Sequence, residues 1–398
     1  MTSLRNYSNK IVLTLFLLLL LFPSFALGNE IGKEHFASIK GGTRIAVYPV
    51  ENLSGAMGPI REIRQMFIER LRTAGVDVLD EEALQKFMTR HRIRYTGGIE
   101  KNTAQAFKQE ENVACVLITS LELYSEANPP KISFISRLVS TEETPSILWM
   151  DGVGMAGDDS RGLLSLGLIE DPRVLLEKAM GKMFDSLSQY LSARSGGKEA
   201  HRAKRKFQPK IFFRSPALDE EKKYTVVIVP FMNLSVRRYA GEIMVLHLAK
   251  AFKEFDNFNV IEFGTVREVF LSLRIIMDQG ISLAQADSIF AMLNADLILS
   301  GNVTDYDDYH GEWGKPRVGF STQIIAKQGR EVVWSSEEYN QGDDGVFFFD
   351  RGRVNTASVM ATQMARWIGK MVVTRQEEMP RGPEQEPIRL PVPDITSY

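Results

Sequence analysis

The chain of 398 residues contains one cysteine, five histidines and four tryptophans. A single cysteine excludes any disulfide within the chain, so hydrophobic cores must hold it together. Cys115 itself lies in the apolar run Ala114-Cys115-Val116-Leu117-Ile118, which predicts a buried strand and an unreactive thiol. The histidines form no H-E-x-x-H pair, and neither a G-x-S-x-G elbow nor a phosphate-binding loop ending in Lys-Ser/Thr occurs. Charge of one sign is also lacking: 48 basic residues face 50 acidic ones, a net charge of −2 that gives no reason to expect nucleic acid as a partner. Beyond the N-terminus, no apolar run approaches the roughly 20 residues that span a bilayer. With 44% hydrophobic and 25% charged positions, the composition excludes collagen-like, coiled-coil and wholly disordered chains.

What is present begins with a leader. Arg5 and Lys10 precede Ile11 to Phe22, which is apolar apart from Thr14; Pro23 follows, and Ala26-Leu27-Gly28 offers small residues. This pattern predicts a secretory signal over residues 1–28, cleaved after about Gly28, and hence a periplasmic protein. Retention of the segment as an anchor is the alternative. No cysteine stands near the cleavage site, so lipidation of a mature N-terminal Cys is excluded.

The most informative feature is an internal duplication. Arg44-Ile45-Ala46-Val47-Tyr48-Pro49-Val50-Glu51-Asn52-Leu53-Ser54 aligns with Thr225-Val226-Val227-Ile228-Val229-Pro230-Phe231-Met232-Asn233-Leu234-Ser235, 181 positions on. Ile147-Leu148-Trp149 with Gly157-Asp158-Asp159 aligns with Val332-Val333-Trp334 with Gly342-Asp343-Asp344, 185 positions on. Units of 43–191 and 224–372 follow. Each reads as a β-branched strand ending at proline, an amphipathic helix, a short strand, two helices, three strands and a closing helix. The early β–α–β part favours a parallel crossover and the later strands favour hairpins. The expected fold is therefore α/β, a tandem duplication of a mixed-sheet sandwich behind the signal peptide.

Between the units, residues 192–223 are rich in Arg and Lys, which reads as a solvated linker or as a surface for polyanions or anionic lipid. From residue 375 to 398 five prolines predict an extended, disordered tail. Gly152-Val153-Gly154-Met155-Ala156-Gly157 fits the dinucleotide pattern, but Asp158-Asp159 would face a pyrophosphate with like charge, so no nucleotide cofactor is expected. Asp305, Asp307, Asp308 and His310 cluster after a strand and could serve a metal-dependent enzyme. The spacing lacks the glycine and distal Glu of a calcium loop, and a solvated hairpin is the reading preferred here. The Asn-Leu-Ser turns at Asn52 and Asn233 match the glycosylation pattern, but their repetition favours a structural role between strand and helix.

Pro230-Phe231-Met232-Asn233-Leu234-Ser235, a helix, and then Leu293-Asn294-Ala295-Asp296-Leu297-Ile298-Leu299-Ser300-Gly301-Asn302-Val303-Thr304 resemble the CsgG-like (curli-secretion-channel-like) and TolB-amino-terminal-like modules of bacterial envelopes. The first unit shares the opening motif but has Cys115 for Asp296 and Ser120 for Gly301. The resemblance implies a non-enzymatic binding or scaffold protein acting through envelope partners, with homo-oligomers among the options. Any membrane contact would be peripheral. The family's lipidation Cys is missing, and no ten-residue alternating stretches for membrane hairpins are found, which argues against a secretion pore. As a partner surface the sequence offers Phe348, Phe349, Arg351 and Arg353, which mix aromatic and cationic residues in the manner of interface hot spots.

Overall fold

The computed structural model describes residues 43–159, 167–192, 205–275, 281–309, 314–346 and 352–374. The predicted leader and the proline-rich tail lie outside these.

The first unit comprises β1 (Arg44–Val47), β2 (Glu51–Asn52), α1 (Ile60–Thr73), β3 (Asp77–Val78), α2 (Glu81–Arg90), α3 (Lys101–Glu111), β4 (Val113–Ser125), β5 (Lys131–Ser140), β6 (Ile147–Ala156) and α4 (Pro172–Leu191). Its sheet runs β3-β1-β4-β5-β6, with β2 also on β4. The β1 pairings with β3 and β4 are parallel, and β4-β5-β6 form an antiparallel meander. The second unit repeats this order with β8 (Tyr224–Ile228), β9 (Met232–Asn233), α5 (Ala240–Lys253), β10 (Phe258–Val260), α6 (Phe263–Leu273), α7 (Leu283–Leu293), β11 (Leu297–Asp307), β12 (Arg317–Ala326), β13 (Val332–Gln341) and α8 (Ala357–Val373). Its sheet runs β10-β8-β11-β12-β13 and gains an edge strand, β7 (Ile211–Arg214), on β13. The fold is thus the duplicated mixed-sheet α/β architecture that the repeat implied.

Local chemistry repeats along with topology. In both units the turn asparagine is bonded in the same way. Asn52 Oδ1 accepts from the Ser54 N–H and hydroxyl while its amide donates to Ala56 O; Asn233 does the same with Ser235 and Arg237 O. The side chain closes the turn by mimicking backbone, which explains why the motif occurs twice. α3 and α7 both end on an asparagine in the left-handed region, Asn112 (φ 52°) and Asn294 (φ 46°), a conformation that asparagine tolerates at helix C-termini.

One correction to the domain reading concerns residues 205–214, which composition placed in a linker. Phe207 is fully buried, and Ile211–Arg214 forms β7 within the second sheet. Two of the basic side chains here are engaged by the second unit, whereas Arg205 and Lys210 are exposed. Lys206 Nζ donates to Asp344 O and Gly352 O, and the buried Arg214 guanidinium donates to Val372 O and Leu218 O. Local charge density hid these long-range partners.

Each sheet carries helices on both faces of its parallel half. α1 and α4 cover one face of the first sheet and α2 and α3 the other; α5 and α8 with α6 and α7 do likewise in the second. The units then stack. α5 and α8 pack on their own sheet and also against the antiparallel half of the first sheet, and Leu53, Ile135 and Ile147 of the first unit join the second unit's core. Gly152 and Gly154 on β6 allow this approach: a Cβ at residue 154 would stand 3.0 Å from Val359 Cγ2. The glycine pattern that mimics a nucleotide loop therefore belongs to a strand that takes helices against its face. At the corresponding positions of β13 stand Glu337 and the half-exposed Tyr339, opposite Ser321 and Gly319 on β12, and Glu337 is also paired with the exposed Ile211 of β7.

Candidate functional site

The seam between the units gathers charged groups that are far apart in sequence. Arg137 on β5 and Glu262, which caps α6 by accepting from Gly264 N and Thr265 N, are both 0% exposed. Their closest approach is 3.6 Å. Arg137 also donates to Gly97 O and lies 4.6 Å above the Phe263 ring, while Ile99 N donates to Glu262. Burial raises the Glu262 carboxyl above its ordinary range, opposed by Arg137 and by the N–H groups of Gly264, Ile99 and Thr265. A buried pair of this kind adds little net stability, but removing one partner costs roughly 3–5 kcal/mol because it strands the other charge.

A second network surrounds His247 on α5. Its Nε2 lies 3.3 Å from Glu122 Oε1 and 3.2 Å from the Tyr306 hydroxyl, and its Nδ1 lies 2.9 Å from Thr362 Oγ1. Ser133 donates to Glu122 Oε2 at 2.6 Å. Burial pushes the Glu122 carboxyl up, yet the His247 charge and hydrogen bonds from His247, Ser133 and Ser358 hold it below the usual carboxylate range. Serine, carboxylate and imidazole together resemble hydrolytic machinery. Here Glu122, Ser133, His247 and Tyr306 are all buried at the seam, so the group joins the units and offers no surface to a substrate.

Further bonds cross the same seam. Arg237 donates to Ser54 O and Glu122 O, linking the two Asn-Leu-Ser turns. The buried Lys131 donates to Tyr309 O at 2.6 Å, with Nζ 3.0 Å from the Tyr309 ring centroid. Burial lowers its pKa to about 8 against the opposing pull of Asp308 and Asp158. Sequence reasoning did not offer Arg137, Glu262, His247, Arg237 or Lys131 as site residues. The available signal was a charged residue inside an apolar run, as at Arg137 in β5 and His247 in α5.

The acidic cluster is divided by the structure. Asp307 pairs with Arg317 at 2.9 Å across the hairpin, and Asp308 accepts from Ala357 N at the start of α8. His310 lies outside the described residues, among which no three such groups converge. Of the expected partner surface, Phe348, Phe349 and Arg351 also lie outside. Arg353 is partly buried, donates to Gly314 O at 2.7 Å and faces the Tyr309 ring at 5.9 Å. Cys115 is buried and free, and burial pushes its thiol up to about 12, as expected for an unreactive side chain.

Beside the seam opens a cavity of about 340 Å³. The first unit supplies Glu51, Leu53, Tyr95 and Gly97; the second supplies mainly apolar walls from β8, α5 and α6. Glu51 accepts from the Ser120 hydroxyl at 2.6 Å. Burial raises its carboxyl, against Ser120 and Arg137 and assisted by the Glu242 charge.

No family model and no curated protein matches the chain. Several solved structures are similar to part of it. The PelC dodecamer from Paraburkholderia phytofirmans is 20% identical, with 42% of this chain and 97% of that one covered and a TM-score of 0.30. Lipoprotein GNA1162 from Neisseria meningitidis is 16% identical over 36% and 99% of the two chains, with a TM-score of 0.27. The LpoB C-terminal domain from Escherichia coli is 15% identical over 29% and 82%, with a TM-score of 0.22. Each likeness covers less than half of this chain. Among the described residues, no helix is long and apolar enough to cross a membrane.

Proposed function

We infer that the chain is a non-enzymatic binding or scaffold protein of a bacterial envelope assembly or export system, CsgG-like in kind. On this reading it is exported to the periplasm after loss of residues 1–28 and works through envelope protein partners. The observation that carries the reading is the use made of the chemically capable side chains. Arg137, Glu262, Glu122, His247 and Lys131 are all buried at the seam and bonded across it, so they serve to fix two units as one body. A rigid two-unit body suits presentation of surfaces to partners. The test is a photo-crosslinking residue introduced at Phe348 or Arg351 in the full chain, expressed in its own host. Capture of a specific envelope protein, from chains whose N-terminus is near Asn29, is the expected result. Chains that retain Met1 in the cytoplasm, with no envelope protein captured, would overturn it.

A further inference from the structure

The cavity beside the seam has an imbalance of charge. Two carboxylates line it, the half-buried Glu51 and the exposed Glu242 on α5. Among the described residues neither has an ion-pair partner. The lining's one described cation, Arg267, is already engaged: it pairs with Glu100 at 2.9 Å and stacks 4.6 Å from the Tyr95 ring. The buried Arg137 donates to Gly97 O and faces Glu262 at 3.6 Å, and its charge only partly offsets the burial of Glu51.

Room for the Glu51 carboxylate is built into the backbone. A Cβ at Gly97 would stand 2.0 Å from Glu51 Oε1, so glycine at this position preserves the space. The remaining lining is mainly apolar or aromatic and includes Leu246, Phe270, Tyr95 and Tyr239. The volume falls at the lower end of small-molecule sites. Carboxylates at an apolar cavity favour a ligand that returns a positive charge to them, because a cation there replaces lost hydration. The Tyr95 and Tyr239 rings already carry Arg267 and Arg238 over them, at 4.6 and 5.4 Å, so the attraction for the ligand's charge rests on the two acids.

We propose that this cavity binds a small organic cation, an aromatic or branched apolar body bearing one ammonium group that reaches Glu51 and Glu242. The site is separate from the partner surface of the scaffold reading and does not depend on it. The apolar body lies against the walls, and the ammonium donates to the two carboxylates. A carboxylate-bearing ligand of the same shape meets like charge and is rejected.

Calorimetric titration of the full chain with tryptamine, tryptophol and indole-3-propionate separates these terms, since the three share one ring system and differ in charge. Tryptamine is expected to bind at least about tenfold more tightly than tryptophol, and indole-3-propionate not measurably. Glu242→Gln, at an exposed helix position that leaves the fold intact, should remove most of that preference while retaining weak binding of both. Glu51→Gln, checked for folding by circular dichroism, should do the same. Absence of tryptamine binding, equal affinity for tryptamine and tryptophol, or unchanged selectivity in both variants would overturn the proposal.

Discussion

Glu338 illustrates how far one side chain can be from its preferred surroundings. It is 4% exposed on β13, and neither carboxyl oxygen completes a hydrogen bond among the described residues. Burial pushes its pKa up to about 8, with Ser336 easing the shift and the Glu337 charge adding to it. The native state therefore keeps a proton that the unfolded state releases near pH 4.5. Between pH 4.5 and 8 the unfolded chain binds fewer protons, so this residue makes stability fall as pH rises, by at most about 1.4 kcal/mol per unit. Glu122 has the opposite sign. Held low by His247, it contributes stability that is lost as pH falls through its ordinary range. Glu338→Gln should be the more stable protein at pH 8, with a flatter slope than wild type between pH 5.5 and 8. Urea midpoints at those two pH values test this as a difference, which cancels other buried acids such as Glu262 and Asp308. Identical slopes would show that Glu338 does not titrate there.

At the scale of elements, most of the fold was legible in the sequence. Periodic apolar residues located the helices that became α1, α5 and α8, and the β-branched runs located β1, β8, β4 and β11. Strand ends were less legible: β6 runs on through Gly152 and Gly154 to Ala156, and glycine weakens the residue pattern that marks a strand. The candidate site was almost wholly illegible. Glu122 and His247, or Arg137 and Glu262, are more than a hundred positions apart, and no local period couples residues on different units. The loop at Gly98 and the start of α6 approach each other closely across the seam. A Cβ at Gly264 would stand 2.3 Å from Ile99 N, against backbone that cannot yield as a side chain end can. Gly264→Ala should therefore cost roughly 1–3 kcal/mol or more through forced separation of the two loops. Thermal unfolding should register the loss, whereas Gly75→Ala, with no neighbour within 4 Å but a φ of 80°, isolates the separate cost of backbone strain. Equal losses from both would remove the close-approach argument.

For the whole molecule, the seam predicts that two units melt as one. Ile135 and Ile147 belong to the second unit's core although the first unit supplies them, and the buried Arg137 meets Glu262 and the Phe263 ring of the second unit. Calorimetry of the full chain should give a single transition whose calorimetric and van't Hoff enthalpies agree. Arg137→Met should lower that transition by about 3–5 kcal/mol, and pairing it with Glu262→Gln should recover part of the loss. Two resolved transitions in the wild type would mean that the units are energetically independent.

The glycines of β6 carry a further consequence for how such a chain could lengthen. The first sheet receives helices because residues 152 and 154 have no side chains; the second sheet presents Glu337 and Tyr339 at the same places, both exposed. Stacking through these two positions is therefore directional. A further copy appended by gene duplication would find its helices held off by a carboxylate and a phenol ring, and would hang from the pair as a separate bead. Only with glycine at both positions would a third copy find the close approach that β6 offers.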